Sequence, residues 1–259
     1  MQNTVFELTD TSNVKTDCAK MKYAIIAAGE GSRLMKEGVE APKPLVAVNG
    51  EKLIDRLIRV FVQNSASEII VICNGQMTDV RCHLEELERK GLNGRQIPLR
   101  HIVKSTPSSM HSFYELSRYI GEEPFVLTTV DTIFREEEFT EYMKAFQENT
   151  EIDAFMGVTD YIDDEKPLYV EVKEDLKISG FFDTNESGCQ YISGGIYGLR
   201  AETIRTLNGC IERGESRMRN FQRALLSDGW KVKAYPFSKI LDIDHAEDIE
   251  KAETFVKGI

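Results

Sequence analysis

The chain has 259 residues, 41% hydrophobic and 29% charged, with a formal net charge of −11. That length holds one large domain with a substantial core, and the acidic balance argues against nonspecific binding to nucleic acid or to an anionic membrane. Five scattered cysteines without C-x-x-C spacing, four dispersed histidines, no apolar run of membrane-spanning length and no signal-peptide core together predict a cytoplasmic protein with reduced thiols and no zinc site.

Residues 1–20 are polar, rich in Thr, Asn and Asp and without periodicity, and read as an N-terminal extension ahead of a single domain over 21–259. Tyr23–Ala27 is a short apolar strand that runs into Ala28-Gly29-Glu30-Gly31. Leu53, Ile54, Leu57, Ile58, Phe61 and Val62 recur at helical spacing, and Glu68–Cys73 then reads as a strand. Val80, Leu84 and Leu87 mark a second helix. Ile97–Val103 predicts a strand, Ser109–Tyr119 a helix and Pro124–Thr129 another apolar strand. The alternation predicts an α/β fold of three α/β/α layers: a Rossmann-like, mostly parallel mixed sheet with ligands beyond the carboxyl ends of its strands. After about residue 150 the pattern changes. Ala154–Thr159, Tyr169–Val172, Ile178–Phe182 and Tyr191–Leu199 read as short strands of a small β-rich insertion. Helices near Ala201–Glu212 and Ser216–Ser227, a strand near Val232–Tyr235 and a helix from His245 to about Val256 close the chain.

The segment from Ala24 to Leu45 carries the most chemistry. Its strand ends in Gly29-Glu30-Gly31, where glycines let backbone N–H groups approach a phosphate. Arg33 can fork onto phosphate oxygens, and Lys43, fixed between Pro42 and Pro44, can supply a point charge beside them. The loop lacks the third glycine of a dinucleotide fingerprint and the Gly-Lys-Ser/Thr of a P-loop. G-x-G-x-R-L followed by P-K-P-L resembles the N-terminal motif of the sugar-phosphate nucleotidyltransferases and the related MobA-like and phosphocholine cytidylyltransferases. The resemblance implies that Ala28, Gly29, Gly31, Ser32 and Arg33 hold the triphosphate of an NTP. It implies catalytic roles for Arg33 and Lys43. Residues 21–150 would form the nucleotide half and 151–259 the acceptor half.

Asp131 follows the strand that ends at Thr129, and a carboxylate beside a triphosphate needs a cation between them. The family places a metal-binding aspartate there. Its closing D-[IV]-[DNG]-T-x-E-D-L segment is similar to Asp242-Ile243-Asp244-His245-Ala246-Glu247-Asp248-Ile249, which implies a second ligand at Asp244 or Asp242, with Asp244 ranked first. Mg²⁺ suits one or two carboxylates plus substrate phosphates. Ser108 and Ser109 stand at the family's base-reading turn, and Ser109 could instead cap the next helix. Ser193-Gly194-Gly195 resembles the strand that lies against the acceptor, and Asp183-Thr184 replaces the Glu-Lys pair common in sugar 1-phosphate enzymes, so Asp183 is an acceptor-side candidate. The expected function is transfer of NMP from an NTP to a phosphorylated acceptor, a sugar 1-phosphate first and a phosphocholine-like alcohol phosphate second, with release of pyrophosphate. A catalytically silent nucleotide sensor stays open as an alternative.

Overall fold

The computed structural model describes residues 21–258, so the expectation for residues 1–20 lies outside the described residues. β1 (Met21–Ala27) is buried on both faces: Tyr23, Ile25 and Ala27 join one core layer, and Ala24 and Ile26 the other. That is the period-2 signature of a central strand covered by helices above and below. The glycine loop leads into a short helix, α1 (Ser32–Lys36), a single turn at Lys43–Leu45, and a two-residue hairpin of β2 (Ala47–Val48) and β3 (Glu51–Lys52). Then come α2 (Leu53–Gln63), β4 (Ala66–Cys73), α3 (Thr78–Lys90), β5 (Leu99–Val103), α4 (Ser109–Ser117) and β6 (Phe125–Thr129). β5 starts two residues later than Ile97 because Pro98 cannot donate to the ladder.

Beyond β6 the chain forms β7 (Thr132–Ile133) and α5 (Glu136–Glu148). α5 has no counterpart in the sequence reading. Three consecutive glutamates in its first turn favour the helix through the macrodipole, while Phe139, Tyr142, Met143 and Phe146 form its buried face. The second half contributes β8 (Ala154–Thr159), β9 (Tyr169–Val172), β10 (Ile178–Phe182), β11 (Tyr191–Leu199), α6 (Ile204–Glu212), α7 (Met218–Ser227), β12 (Val232–Phe237), β13 (Leu241–Asp242) and α8 (Ala246–Lys257).

Nine strands make one mixed sheet in the order β10-β9-β11-β6-β1-β4-β5, with β8 beside β11 and β12 beside β8. β6, β1, β4 and β5 run parallel; β11 runs antiparallel to β6, β8 and β9. The second-half strands therefore extend the same sheet. Two aromatic clusters hold its faces. Tyr23 stacks on Phe61 with ring centroids 4.4 Å apart on one side, and Phe113 meets Phe221 edge-on at 5.3 Å on the other. Each such fully buried ring stabilises the fold by roughly 1.5–3 kcal/mol. The parallel core puts the loops after β1, β4, β5 and β6 at one end of the sheet.

Candidate active site

Gly31 caps α1 in the left-handed region, at φ 63° and ψ 32°. A Cβ there would stand 3.0 Å from the Cβ of Lys43, so glycine is required twice, by its backbone angle and by the approach of the Lys43 turn. Gly29 differs, because a Cβ on it would meet no protein atom within 4 Å. Gly31→Ala should cost roughly 1–2 kcal/mol of stability from the left-handed strain alone and displace Lys43. Gly29→Ala should leave the melting temperature unchanged and weaken only nucleotide binding. Thermal denaturation of the two variants with and without an NTP checks the contrast.

Lys43 is buried, and its ammonium donates to Asp131 and, at 2.7 Å, to Asp244 Oδ1. Burial alone would push this ammonium down, but the two carboxylates outweigh it and hold Lys43 above the ordinary lysine range. Burial works against the charged form of Asp131 as well. Lys43 and the Thr129 hydroxyl reverse that and keep its carboxyl below the usual range. Arg33 Nη1 donates to the other Asp244 oxygen at 2.9 Å. Asp244 thus holds both candidate cations at once. Glu37, at the end of α1, accepts from His245 Nδ1 at 2.6 Å and from the Ala246 N–H at 2.7 Å. That clasp ties the glycine-loop helix to the start of α8.

Two cavities meet at Arg33 and Asp244. The first, about 630 Å³, is lined by Ala28, Gly29, Gly31, Ser32, Arg33 and Lys43 at one end, by Ser108 and Ser109 at the other, and by Asp131 on its floor. Every nucleotide-side candidate is therefore brought together. The second cavity, about 530 Å³, is lined by Arg33, Ser193, Gly194, Asp242 and Asp244, with an acidic wall that includes Asp164 and Glu165.

The acceptor-side candidates fare unevenly. Ser193 and Gly194 line the second cavity, but Gly195 does not. Gly195, at φ 72°, lies in a bulge of β11, where a Cβ would stand 3.0 Å from the Thr132 hydroxyl. Gly194 is kept small by Ile240. Asp183 lines neither cavity. Its carboxylate pairs with Arg219 and with Arg223 Nη2 at 2.8 Å, two cations one turn apart on α7. Ser108 accepts from the His111 N–H at 3.4 Å as the N-cap of α4, and its hydroxyl pairs with His111 Nδ1 at 2.9 Å. The capping role expected for Ser109 thus falls to Ser108.

The carboxylates fit a hard divalent cation only in part. β13 pairs with β7, which sets Asp242 opposite Thr132, and the Ile243 N–H donates to the Asp131 carbonyl at 3.1 Å. Asp242 and Asp131 are thereby neighbours. Crowding by the protein and then the Asp131 charge push the Asp242 carboxyl well above its usual range, although its face toward the cavity stays open to solvent. Among the described residues no salt-bridge partner meets Asp242, and no cluster of three or more Asp, Glu, His or Cys side chains could hold a metal unaided. Two carboxylates, one without a cation, suit an ion that takes its remaining ligands from phosphates and water.

Two further residues of the first cavity escape the sequence reading, Asn74 and Thr106. Asn74 directly follows the apolar strand β4, the same placement that singles out Asp131 after β6, and that signal could have found it.

Comparison with known proteins identifies the family and the fold. The chain is 25% identical over 249 residues to the bifunctional IPC transferase and DIPP synthase of Aquifex aeolicus, an alignment covering 91% of this chain and 53% of that protein. The chain thus spans about half the length of the curated relatives it matches, or less. Among solved structures, the inositol-1-phosphate CTP transferase of T. maritima superposes with a TM-score of 0.75 at 18% identity, over 92% of this chain and 97% of that one. The UDP-glucose pyrophosphorylase of Acinetobacter baumannii gives 0.75 at 17% identity, over 91% and 93%. A family model described as nucleotidyl transferase matches residues 22–257, which takes in the glycine loop, both cavities and the closing helix, and the chain belongs to that family.

Proposed function

We propose that this protein transfers a nucleoside monophosphate from an NTP to a phosphorylated small molecule and releases pyrophosphate. The observation that carries the reading is the Lys43 ammonium, buried between Asp131 and Asp244 on the floor of a cavity whose rim is the glycine loop and Arg33. Backbone N–H groups of the loop and the Arg33 guanidinium would bind the triphosphate, and Lys43 would lie beside the α-phosphate. An oxygen of the acceptor phosphate, approaching from the second cavity, forms the new bond to the α-phosphorus. The bond to the α–β bridging oxygen breaks, and its electron pair leaves with pyrophosphate. A phosphate nucleophile is already ionised near neutral pH, so no general base is required, and catalysis rests on positioning and charge stabilisation.

Mg²⁺ held by Asp131 together with Asp242 or Asp244 would orient the phosphates and neutralise charge on the departing group. The reading favours Asp242, because Asp244 is already engaged by Arg33 and Lys43 while Asp242 has no cation of its own. The acidic wall of the second cavity suits the hydroxyls of a sugar 1-phosphate, the first acceptor class proposed. The same wall also favours a cationic head group of the phosphocholine kind as a second reading. We place the protein in a reducing cytoplasm. Among the described residues four cysteines are unpaired and no helix is long and apolar enough to cross a membrane.

Pyrophosphate release measured across CTP, UTP, dTTP, ATP and GTP against a panel of sugar 1-phosphates, inositol 1-phosphate and phosphocholine tests the reaction. Turnover is expected with at least one pair, in a Mg²⁺-dependent manner. Nucleotide binding without turnover on any acceptor would support the silent sensor instead.

A further inference from the structure

We propose that Thr132 is a positioning residue: its buried hydroxyl, acting through Thr129, holds Asp131 beside Asp242 in the arrangement that takes the metal. The inference rests on the nucleotidyltransferase reading and on its metal, and extends them to a residue that lines neither cavity.

Thr132 lies in β7 among apolar neighbours. Val130, Ile133 and Phe134 belong to one core layer, and Thr132 itself is 0% exposed. A valine has nearly the same shape and would bury no polar atom, so a hydroxyl here is costly unless it is used. Its partner is the Thr129 hydroxyl, 2.7 Å away. Thr129 in turn meets the Asp131 carboxylate and helps to keep it charged. A carboxylate only accepts, which fixes the direction of the relay. Thr129 donates to Asp131 and must therefore accept from Thr132. Without that donor the Thr129 hydroxyl is free to turn toward the first cavity, which it lines.

The backbone ties the second carboxylate to the same residue. Thr132 stands opposite Asp242 in the β7–β13 ladder, and the Ile243 N–H closes onto the Asp131 carbonyl at 3.1 Å. One residue is thus next to Asp131 along the chain and next to Asp242 across the strands. The bulge of β11 covers the hydroxyl pair. A Cβ on Gly195 would stand 3.0 Å from the Thr132 oxygen and 3.2 Å from that of Thr129. That contact gives Gly195 a role outside both cavities, since its missing side chain leaves the pair room to form.

Mn²⁺ titration of the full chain, followed by water-proton relaxation with CTP, UTP, dTTP, ATP or GTP present, needs neither acceptor nor turnover. Wild type is expected to bind the ion with at least one nucleotide. Thr132→Val should weaken Mn²⁺ binding about tenfold, the lower end for a disturbed partner of a metal ligand, whereas Thr132→Ser keeps the hydroxyl and should bind like wild type. Melting temperatures check that each variant folds. Thr129→Val removes the donor next to Asp131 and should show the same loss, so it decides the matter if Thr132→Val fails to fold. Adding Thr132→Val to Thr129→Val should cost nothing further, because both act through one relay. A residue that served only packing would add a loss of its own. If wild type binds Mn²⁺ and either valine variant keeps that affinity, or if the two losses add, Thr132 does not position Asp131 and the metal reading stands. If no nucleotide brings Mn²⁺ onto wild type, the metal reading fails and takes this one with it.

Discussion

Lys43→Ala is expected to lower kcat on the order of 10²- to 10³-fold, the cost of removing a preorganised charge from a reacting phosphoryl group. The loss should fall mainly on kcat, because charge at the α-phosphate builds up only in the transition state. Stability should fall as well. Lys43 is 8% exposed and serves as counter-ion to two carboxylates. Asp131 and Asp244 keep some contact with solvent, so the cost should be roughly 1–3 kcal/mol, less than for a fully buried pair. Lys43→Arg should recover most of the stability but little of the rate, since a planar fork cannot occupy the position of a compact ammonium.

The pH profile separates the two roles. Lys43 holds the folded Asp131 carboxyl below its unfolded value. That contribution is therefore present above the unfolded carboxylate pKa of about 3.9 and is lost as pH falls through the lower folded value. Lys43→Ala should flatten this part of the acid limb of the stability curve. A Lys43→Ala enzyme within twofold of wild-type kcat would remove Lys43 from the chemistry.

Asp131→Asn should reduce turnover on the order of 10³-fold while the fold persists. The amide keeps the shape and can still meet the Thr129 hydroxyl, but it presents half the acceptor capacity and no charge. Activity titrated against Mg²⁺ distinguishes the partners. Asp242→Asn should raise the Mg²⁺ concentration needed for half-maximal rate by tenfold or more, within the range typical when a metal's surroundings are disturbed. Asp244→Asn should act differently, weakening the hold on Arg33 and Lys43 and so altering NTP affinity at an unchanged Mg²⁺ midpoint. The reverse pattern would make Asp244 the second ligand, as its rank in the sequence motif implies. Undiminished wild-type activity in excess EDTA would end the metal hypothesis.

Local pattern was enough to determine the α/β alternation, most strand limits and the stretch of chain that forms the glycine-loop side of the first cavity. Strands such as β1 and β4 alternate between two buried layers, and the glycine loop with Arg33 and Lys43 is nearly contiguous, so periodicity and spacing report them directly. Partner choice was not legible in that way. Lys43 meets carboxylates 88 and 201 residues away, and only the order of strands in the sheet brings β6 and the segment after β13 to the same loop. Asp183 had the motif position of an acceptor contact, yet α7 packs beside β10 and offers it two arginines, whose charge outcompetes the cavity for that carboxylate. Asn74 was not singled out in the sequence, and the orientation of its amide depends on Ser105, 31 residues further on, and on a backbone N–H whose direction no spacing rule encodes. Local sequence set which chemistry the chain can carry, because backbone periodicity and glycine geometry act over a few residues. Tertiary structure decided which charges are spent on each other and which face the cavities, because electrostatic pairing depends on distances that only chain closure creates.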